Sequence, residues 1–461
     1  MSDQKQQPLS VQIKNIKRTF LKIASLPLAD VLSTNWLKKI AESSVYRSDT
    51  IYTPLVVLRL FLLQALSDDR SCKAAVSRFL IERAREGETE LSHNTGPYCS
   101  ARARLDSSLV EEGVRVSGRA HKVEIADKWY GYNVYITDGT TTILPDTESN
   151  QEEFPQQRNQ KPGLGFPIVR IGAIISLFTG AVTDYAIGPY EGKGTGEISL
   201  LNRMLGCLEK GDLLLADRYY ATFVILQLLN LRGVHVVMKT HARRKIDYRK
   251  GTQLGERDHL IVWNKPKILP AWMPPEDYAA LPDKLTVREF RVDGIDFVTT
   301  LVDHKRFHKQ EMSSLYRQRW NIEVDFRSIK THMGMEMLSC LTPRMIKMEI
   351  SIYLLAYNII RSIIAQAAAI HEKLPRKISF KSTAQLIVAS ATTIIVTANQ
   401  SLMDITSTLL SAISTNLVGN REQIQQPRAL KRRPRNYKLL MKPRELAVID
   451  VANHIVSVCA A

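Results

Sequence analysis

Six residues, Asp212-Leu-Leu-Leu-Ala-Asp217, constrain the fold of this chain more than any other stretch. An apolar run with no polar alternation belongs to a strand covered on both faces, so helices must lie above and below it. The neighbouring segments supply them. Val134–Asp138 reads as a strand whose end is marked by Gly139, and Ile168–Phe178 with Ala181–Ile187 reads as an antiparallel hairpin about Thr179-Gly180. Helices are expected at Ile198–Lys210 and Ala221–Leu231, and a further strand at Val234–Lys239. Asp146 through Glu153 is acidic and irregular, as in a loop. The chain thus runs strand, strand, strand, helix, strand, helix, strand: an α/β core with Asp138 and Asp217 at two strand ends.

Downstream, no proline interrupts Glu311 to Glu336, and apolar residues recur at helical spacing. At about 100° per residue, Tyr316, Arg319, Glu323 and Lys330 share an arc of roughly 60°. Trp320 and Arg327 flank them, while Glu311, Asp325 and Glu336 project from the opposite side. One face therefore offers a carboxylate suited to a divalent metal, ringed by cations suited to phosphate oxygens. A solvated helix with i,i+4 ion pairs would present similar residues. Taken singly, Asp138 fits a turn and Asp217 a helix N-cap. What separates the readings is the spacing: Tyr316, two residues, Arg319, three residues, Glu323, six residues, Lys330. It resembles the signature of the fourth family of bacterial insertion-sequence transposases.

That resemblance implies a ribonuclease-H-like catalytic core at 126–340, carrying a β-rich insertion at 240–303. An all-helical DNA-binding domain at 1–125 and a helical C-terminal region at 341–461 would flank it. It implies catalysis and metal binding by Asp138, Asp217 and Glu323, with two Mg2+ ions (Mn2+ able to substitute). Tyr316, Arg319 and Lys330, assisted by Arg218 and Arg327, would grip DNA phosphates. The implied activity is cut-and-paste transposition: cleavage at terminal inverted repeats, a hairpin intermediate, and attack of the 3′-hydroxyl ends on target DNA. Two protomers on paired double-stranded DNA ends, in a bacterial cytoplasm near the nucleoid, are implied too. The insertion is legible in the residues themselves, since Thr252–Trp263, Leu285–Val292 and Ile295–Leu301 read as strands, the last two joined by a type I′ turn at Asp293-Gly294. Pro266–Pro282 reads as a proline-rich loop. Relatives hold a flipped base with an aromatic of this region. Trp263 and Trp272 are available, but neither aligns residue by residue.

The charge balance agrees with a polyanionic partner: 63 Lys and Arg against 46 Asp and Glu, a net +17. Five scattered cysteines exclude a disulfide scaffold and fit a reducing compartment. In the N-terminal third, Thr53-Pro54 starts a core helix, Ser71–Arg85 forms a second, and Pro97 opens a third carrying Arg102 and Arg104, compatible with a helix-turn-helix. Ile350–Ile360 and Ala384–Ala398 fall short of a membrane span and read as parts of the buried helices Met345–Ile370 and Thr383–Leu417. Pro427–Pro443 is a basic run, and Lys193 sits in a glycine-rich turn that is not a Walker loop. His304 and His308 lack the further ligands of a zinc site. A nuclease or resolvase without strand transfer, or a domesticated DNA-binding protein, would share parts of this pattern. On the helical phasing, Asp325→Asn is expected to leave cleavage nearly untouched.

Overall fold

The protein, given by a computed structural model, is described over residues 33–43, 51–85, 87, 92–120, 128–192, 194–396, 399–418 and 442–453, with Val11 in addition. Lys193 and positions 427–441 of the basic run lie outside the described residues.

A single mixed sheet organises the chain. Its strands are β1 (Asn133–Ile143), β2 (Ile168–Ser176), β3 (Val182–Pro189), β4 (Asp212–Ala216), β5 (His235–Lys239), β6 (Thr252–Gly255), β7 (Asp258–Asn264), β8 (Lys284–Val292) and β9 (Ile295–Thr299). They lie side by side in the order β3-β2-β1-β4-β5-β9-β8-β7-β6. β1, β2 and β3 pair antiparallel, whereas β1, β4 and β5 run parallel. β9 returns antiparallel to β5, so the expected insertion continues the sheet instead of standing apart from it. Asp293 and Gly294 both take positive φ, as a type I′ turn between β8 and β9 requires.

All five residues of β4 are buried, and they divide between two cores. Leu213 and Leu215 join Val134 and Ile136 of β1 on one face, whereas Leu214 and Ala216 join the other. Helices on the first face come from both ends of the chain: α1 (Thr34–Glu42), α2 (Pro54–Leu66), α3 (Cys72–Arg85), α4 (Gly96–Arg104) and α5 (Ser107–Arg119) precede the sheet. α6 (Glu148–Glu153) occupies the acidic stretch expected as a loop, because Thr147 caps it by accepting from the Asn150 N–H. The second face is covered by α7 (Glu197–Met204) and α8 (Phe223–Leu231), with α9 (Pro275–Ala280) formed inside the proline-rich segment.

After the sheet come α10 (Lys309–Arg317), α11 (Asn321–Arg327), α12 (Pro343–Ile370), α13 (Phe380–Val396), α14 (Asn399–Thr415) and α15 (Arg444–Ala452). A 3-10 turn at Gln318–Trp320 joins α10 to α11, and a π turn at Ser328–His332 closes the run. The expected helix to Glu336 therefore stops at His332, with its last turn widened. The expected helix Thr383–Leu417 is two helices.

α12 is longer than the sequence suggested: at 28 residues it is long and apolar enough to cross a membrane, yet 94% of its apolar window is buried within the fold. It is a core helix. Asn358 on it donates to the Val114 and Val182 carbonyls and accepts from the Val182 N–H, pinning α5 to β3. Gly118 allows that approach, since a Cβ there would meet the Val182 carbonyl at 1.9 Å.

The N-terminal helices correct one expectation. Arg102 does not face solvent: its guanidinium lies 3.9 Å over the Phe61 ring and donates to the Cys72 and Cys340 sulfurs, each at 3.0 Å. It ties α4 to the segment after α11 and is withdrawn from any groove-reading role.

Candidate active site

The site lies where β1 and β4 part. Their parallel register ends at Ile136 opposite Leu215. Two residues beyond that last pair, along each chain, stand Asp138 and Asp217. β1 does not stop at Asp138, as the Asp-Gly pair suggested; it continues through Gly139, which faces Gly172 of β2, to Ile143. Asp138 is thus presented from mid-strand, beyond the end of its parallel neighbour. Asp217 accepts from the Tyr219 N–H at 3.0 Å, so it also caps the 3-10 turn Arg218–Tyr220.

The helical run contributes from above. Ile322, Phe326 and Ile329 enter the first core, which turns Glu323 toward the strand ends. Arg319 links the acids: it donates to Asp138 Oδ2 at 3.0 Å and pairs with Glu323 Oε1 at 3.5 Å. The Asp138 side chain is 23% exposed and that of Glu323 38% exposed, whereas Arg319 is 14% exposed. Burial pushes the Asp138 carboxyl up, the Gly139 N–H and Arg319 draw it down, and nearby Asp217 pushes it up again.

Tyr316 is 6% exposed, its ring edge-on to Phe297 at 5.3 Å and under the Lys239 ammonium at 5.6 Å. Burial raises its hydroxyl to about 12, with the nearby Arg319 opposing the rise. Lys330 is half-buried and donates to the Thr141 carbonyl at 2.8 Å, strapping the π turn to β1; burial lowers its ammonium below the usual range. Arg218 and Arg327 are exposed at the rim, as are Tyr219 and Trp320. The motif residues therefore converge, but not as one exposed stripe: Tyr316 and Arg319 are inward groups, and the rim cations are the accessible ones.

Asp325 does face away from Glu323, as expected, but into the protein. It is fully buried and accepts from Arg361 at 2.7 Å, from Arg376 at 2.6 and 2.7 Å, and from the Tyr357 hydroxyl at 3.0 Å. Arg376 also donates to the Ser176 and Leu177 carbonyls at the β2–β3 turn. The change Asp325→Asn, expected to spare cleavage, would strand two arginines beneath the site.

Glu197, at the start of α7, was not anticipated. Its side chain lies so close to β1 that a Cβ on Gly139 would come within 2.8 Å of its Cγ and Oε1. Burial raises its carboxyl, Asp138 and Asp217 reinforce the rise, and Arg170 and the Tyr220 hydroxyl oppose it. The sequence did carry a signal. A glycine inside a strand often marks a close approach.

Trp263 is buried, donates to Glu289 at 2.8 Å and lies under the Arg244 guanidinium at 3.9 Å, so it offers no face to a base; Trp272 is half-buried.

A divalent cation fits this donor set chemically. Every acid offers hard carboxylate oxygens, and Arg319 already lodges a cation between two of them. Among the described residues, no three such side chains are yet gathered tightly enough to hold one ion; Glu323 reaches Asp138 only through Arg319.

The family profile described as transposase DDE domain matches residues 129–359. The transposase InsG of insertion sequence element IS4 from Escherichia coli (strain K12) is 25% identical over 346 residues, covering 73% of this chain and 76% of that protein. A cryo-EM structure of a piggyBac transposase synaptic complex with hairpin DNA aligns over 86% of this chain and 85% of its own, at 11% identity and a TM-score of 0.44.

Proposed function

The chain belongs to the DDE-domain transposases, of the IS4 insertion-sequence type, and on that footing we propose that it binds the terminal inverted repeats of its own element, cleaves the DNA ends and joins the 3′-hydroxyls to target DNA. The observation that carries this reading is the placing of Asp138 and Asp217 just past the last pair of two parallel strands, with Glu323 tied to Asp138 through Arg319. The strand order β3-β2-β1-β4-β5 supports a ribonuclease-H-like core at 126–340, with β6–β9 as its insertion. Residues 1–125 and 341–461 are the flanking helical regions in this reading.

Asp138, Asp217 and Glu323 would hold two magnesium ions, or manganese in their place. Such ions supply an activated attacking oxygen and a stabilised leaving oxygen for in-line displacement. The chain's own residues do the positioning. Arg218 and Arg327, exposed on either side, bind phosphates of the flanking strand. Lys330 holds the π turn against β1 and presents its charge to the same backbone. Arg319 is committed to the acids in the DNA-free protein, so a phosphate contact requires it to give up Asp138. Tyr316, buried beside Arg319, backs that guanidinium and does not reach DNA itself. Two protomers acting on paired DNA ends, in the cytoplasm at the nucleoid, complete the reading.

A nuclease or resolvase with the same acids would cut without joining. Incubating the protein with linear DNA bearing its element's ends and magnesium, then resolving strands on a denaturing gel, separates the two. Hairpin-length and joined products are expected. Nicked products alone would favour the nuclease.

A further inference from the structure

We propose that Glu197 is a fourth carboxylate of the divalent-cation site, standing beside Asp138 and Asp217 and adding its charge to the wall that holds the cation. The inference rests on the metal-dependent reading above and extends it to a residue outside the Asp138, Asp217 and Glu323 set.

Three observations carry it. The first is steric. Gly139 has an ordinary negative φ, so its backbone would accept any side chain; what excludes one is the Glu197 side chain, which fills the place of a Cβ. The glycine next to Asp138 is thereby explained as a seat for a second carboxylate. The second is electrostatic. Arg319 serves Asp138 and Glu323 at 3.0 and 3.5 Å, but among the described residues no basic group forms an ion pair with Glu197 within 4.0 Å. Arg170, whose charge draws the Glu197 carboxyl down, donates instead to the Thr195 carbonyl at 3.0 Å and lies over Tyr190 at 4.6 Å. Arg319 thus pairs with two of the four acids and no basic group among the described residues pairs with Glu197, and clustered like charges in a partly desolvated place call for a further cation. The third is orientation. A Cβ on Gly196, the residue before Glu197, would lie 3.7 Å from the Tyr219 hydroxyl, so the start of α7 stands against the turn that Asp217 caps.

Mn2+ binding to the full-length, DNA-free protein, followed by electron paramagnetic resonance of the free ion, tests this without relying on DNA cleavage. Glu197→Gln keeps the shape while removing the charge. It should weaken Mn2+ binding about tenfold, the scale of losses when a group supporting a metal site is changed, with the melting temperature unchanged. Gly139→Ala keeps the charge but displaces the carboxylate, and should weaken binding in the same direction. Asp138→Asn is the reference and should weaken it more. Wild-type Mn2+ affinity in both Glu197→Gln and Gly139→Ala, with Asp138→Asn impaired, would overturn the assignment of Glu197 alone. Wild-type affinity in Asp138→Asn as well would overturn the metal reading and this inference with it.

Discussion

Glu323 and Asp325 stand two residues apart on α11, and the protein treats them oppositely. Each meets arginine. In front, Glu323 is over one-third exposed and holds Arg319 at 3.5 Å; behind, Asp325 is fully buried and held by Arg361 and Arg376 at 2.7 and 2.6 Å. An exposed, loose pair contributes little to stability and can be exchanged for a ligand, whereas a buried one cannot lose a partner without stranding a charge. The front is therefore equipment and the back is foundation. Arg376 extends that foundation to the β2–β3 turn, so the helix carrying Glu323 is locked to the sheet carrying Asp138.

Substitutions can break this contrast. The largest stability effect is expected from Asp325→Asn, which should cost about 3–5 kcal/mol by leaving the buried Arg361 and the partly buried Arg376 without their carboxylate; denaturant titration measures it, and a loss below 1 kcal/mol would refute the foundation role. Arg376→Gln should cost about 2 kcal/mol, because Arg361 still answers Asp325; a loss equal to that of Asp325→Asn would mean Arg361 contributes nothing. Trp263→Phe should cost about 1 kcal/mol through the lost bond to Glu289 and leave DNA cleavage intact. A cleavage defect in that variant at unchanged stability would reopen a base-holding role for Trp263. Smallest in stability, Arg218→Gln and Arg327→Gln should leave melting unchanged while each flattens the salt dependence of DNA binding by about one unit of slope. An unaltered slope would remove them from the DNA path.

Much of this was legible in the sequence because it is written in local periodicity. The apolar run of β4, the Asp293-Gly294 turn and the spacing from Tyr316 to Lys330 each depend on residues within a few positions of one another. What escaped is what the fold brings together from far away. Asp325 reads only as an acid on the side away from Glu323 until Arg361 and Arg376 are known to lie under it. Arg102 looks like a groove reader until Phe61, Cys72 and Cys340 enclose it. Gly139 was taken for a strand end because the Glu197 side chain that makes it necessary arrives 58 residues later. Tyr316 and Arg319 share the motif's face as phasing requires, yet packing against Phe297 and Asp138 turns them inward, which a helical wheel does not contain.

The most direct test compares wild-type protein with Glu323→Gln on linear DNA carrying the element's ends, scoring melting temperature, DNA-end binding and magnesium-dependent cleavage on the same preparations. Unchanged melting and binding with cleavage abolished is the predicted result. Cleavage persisting in Glu323→Gln would contradict the assignment of the front acid to the chemistry.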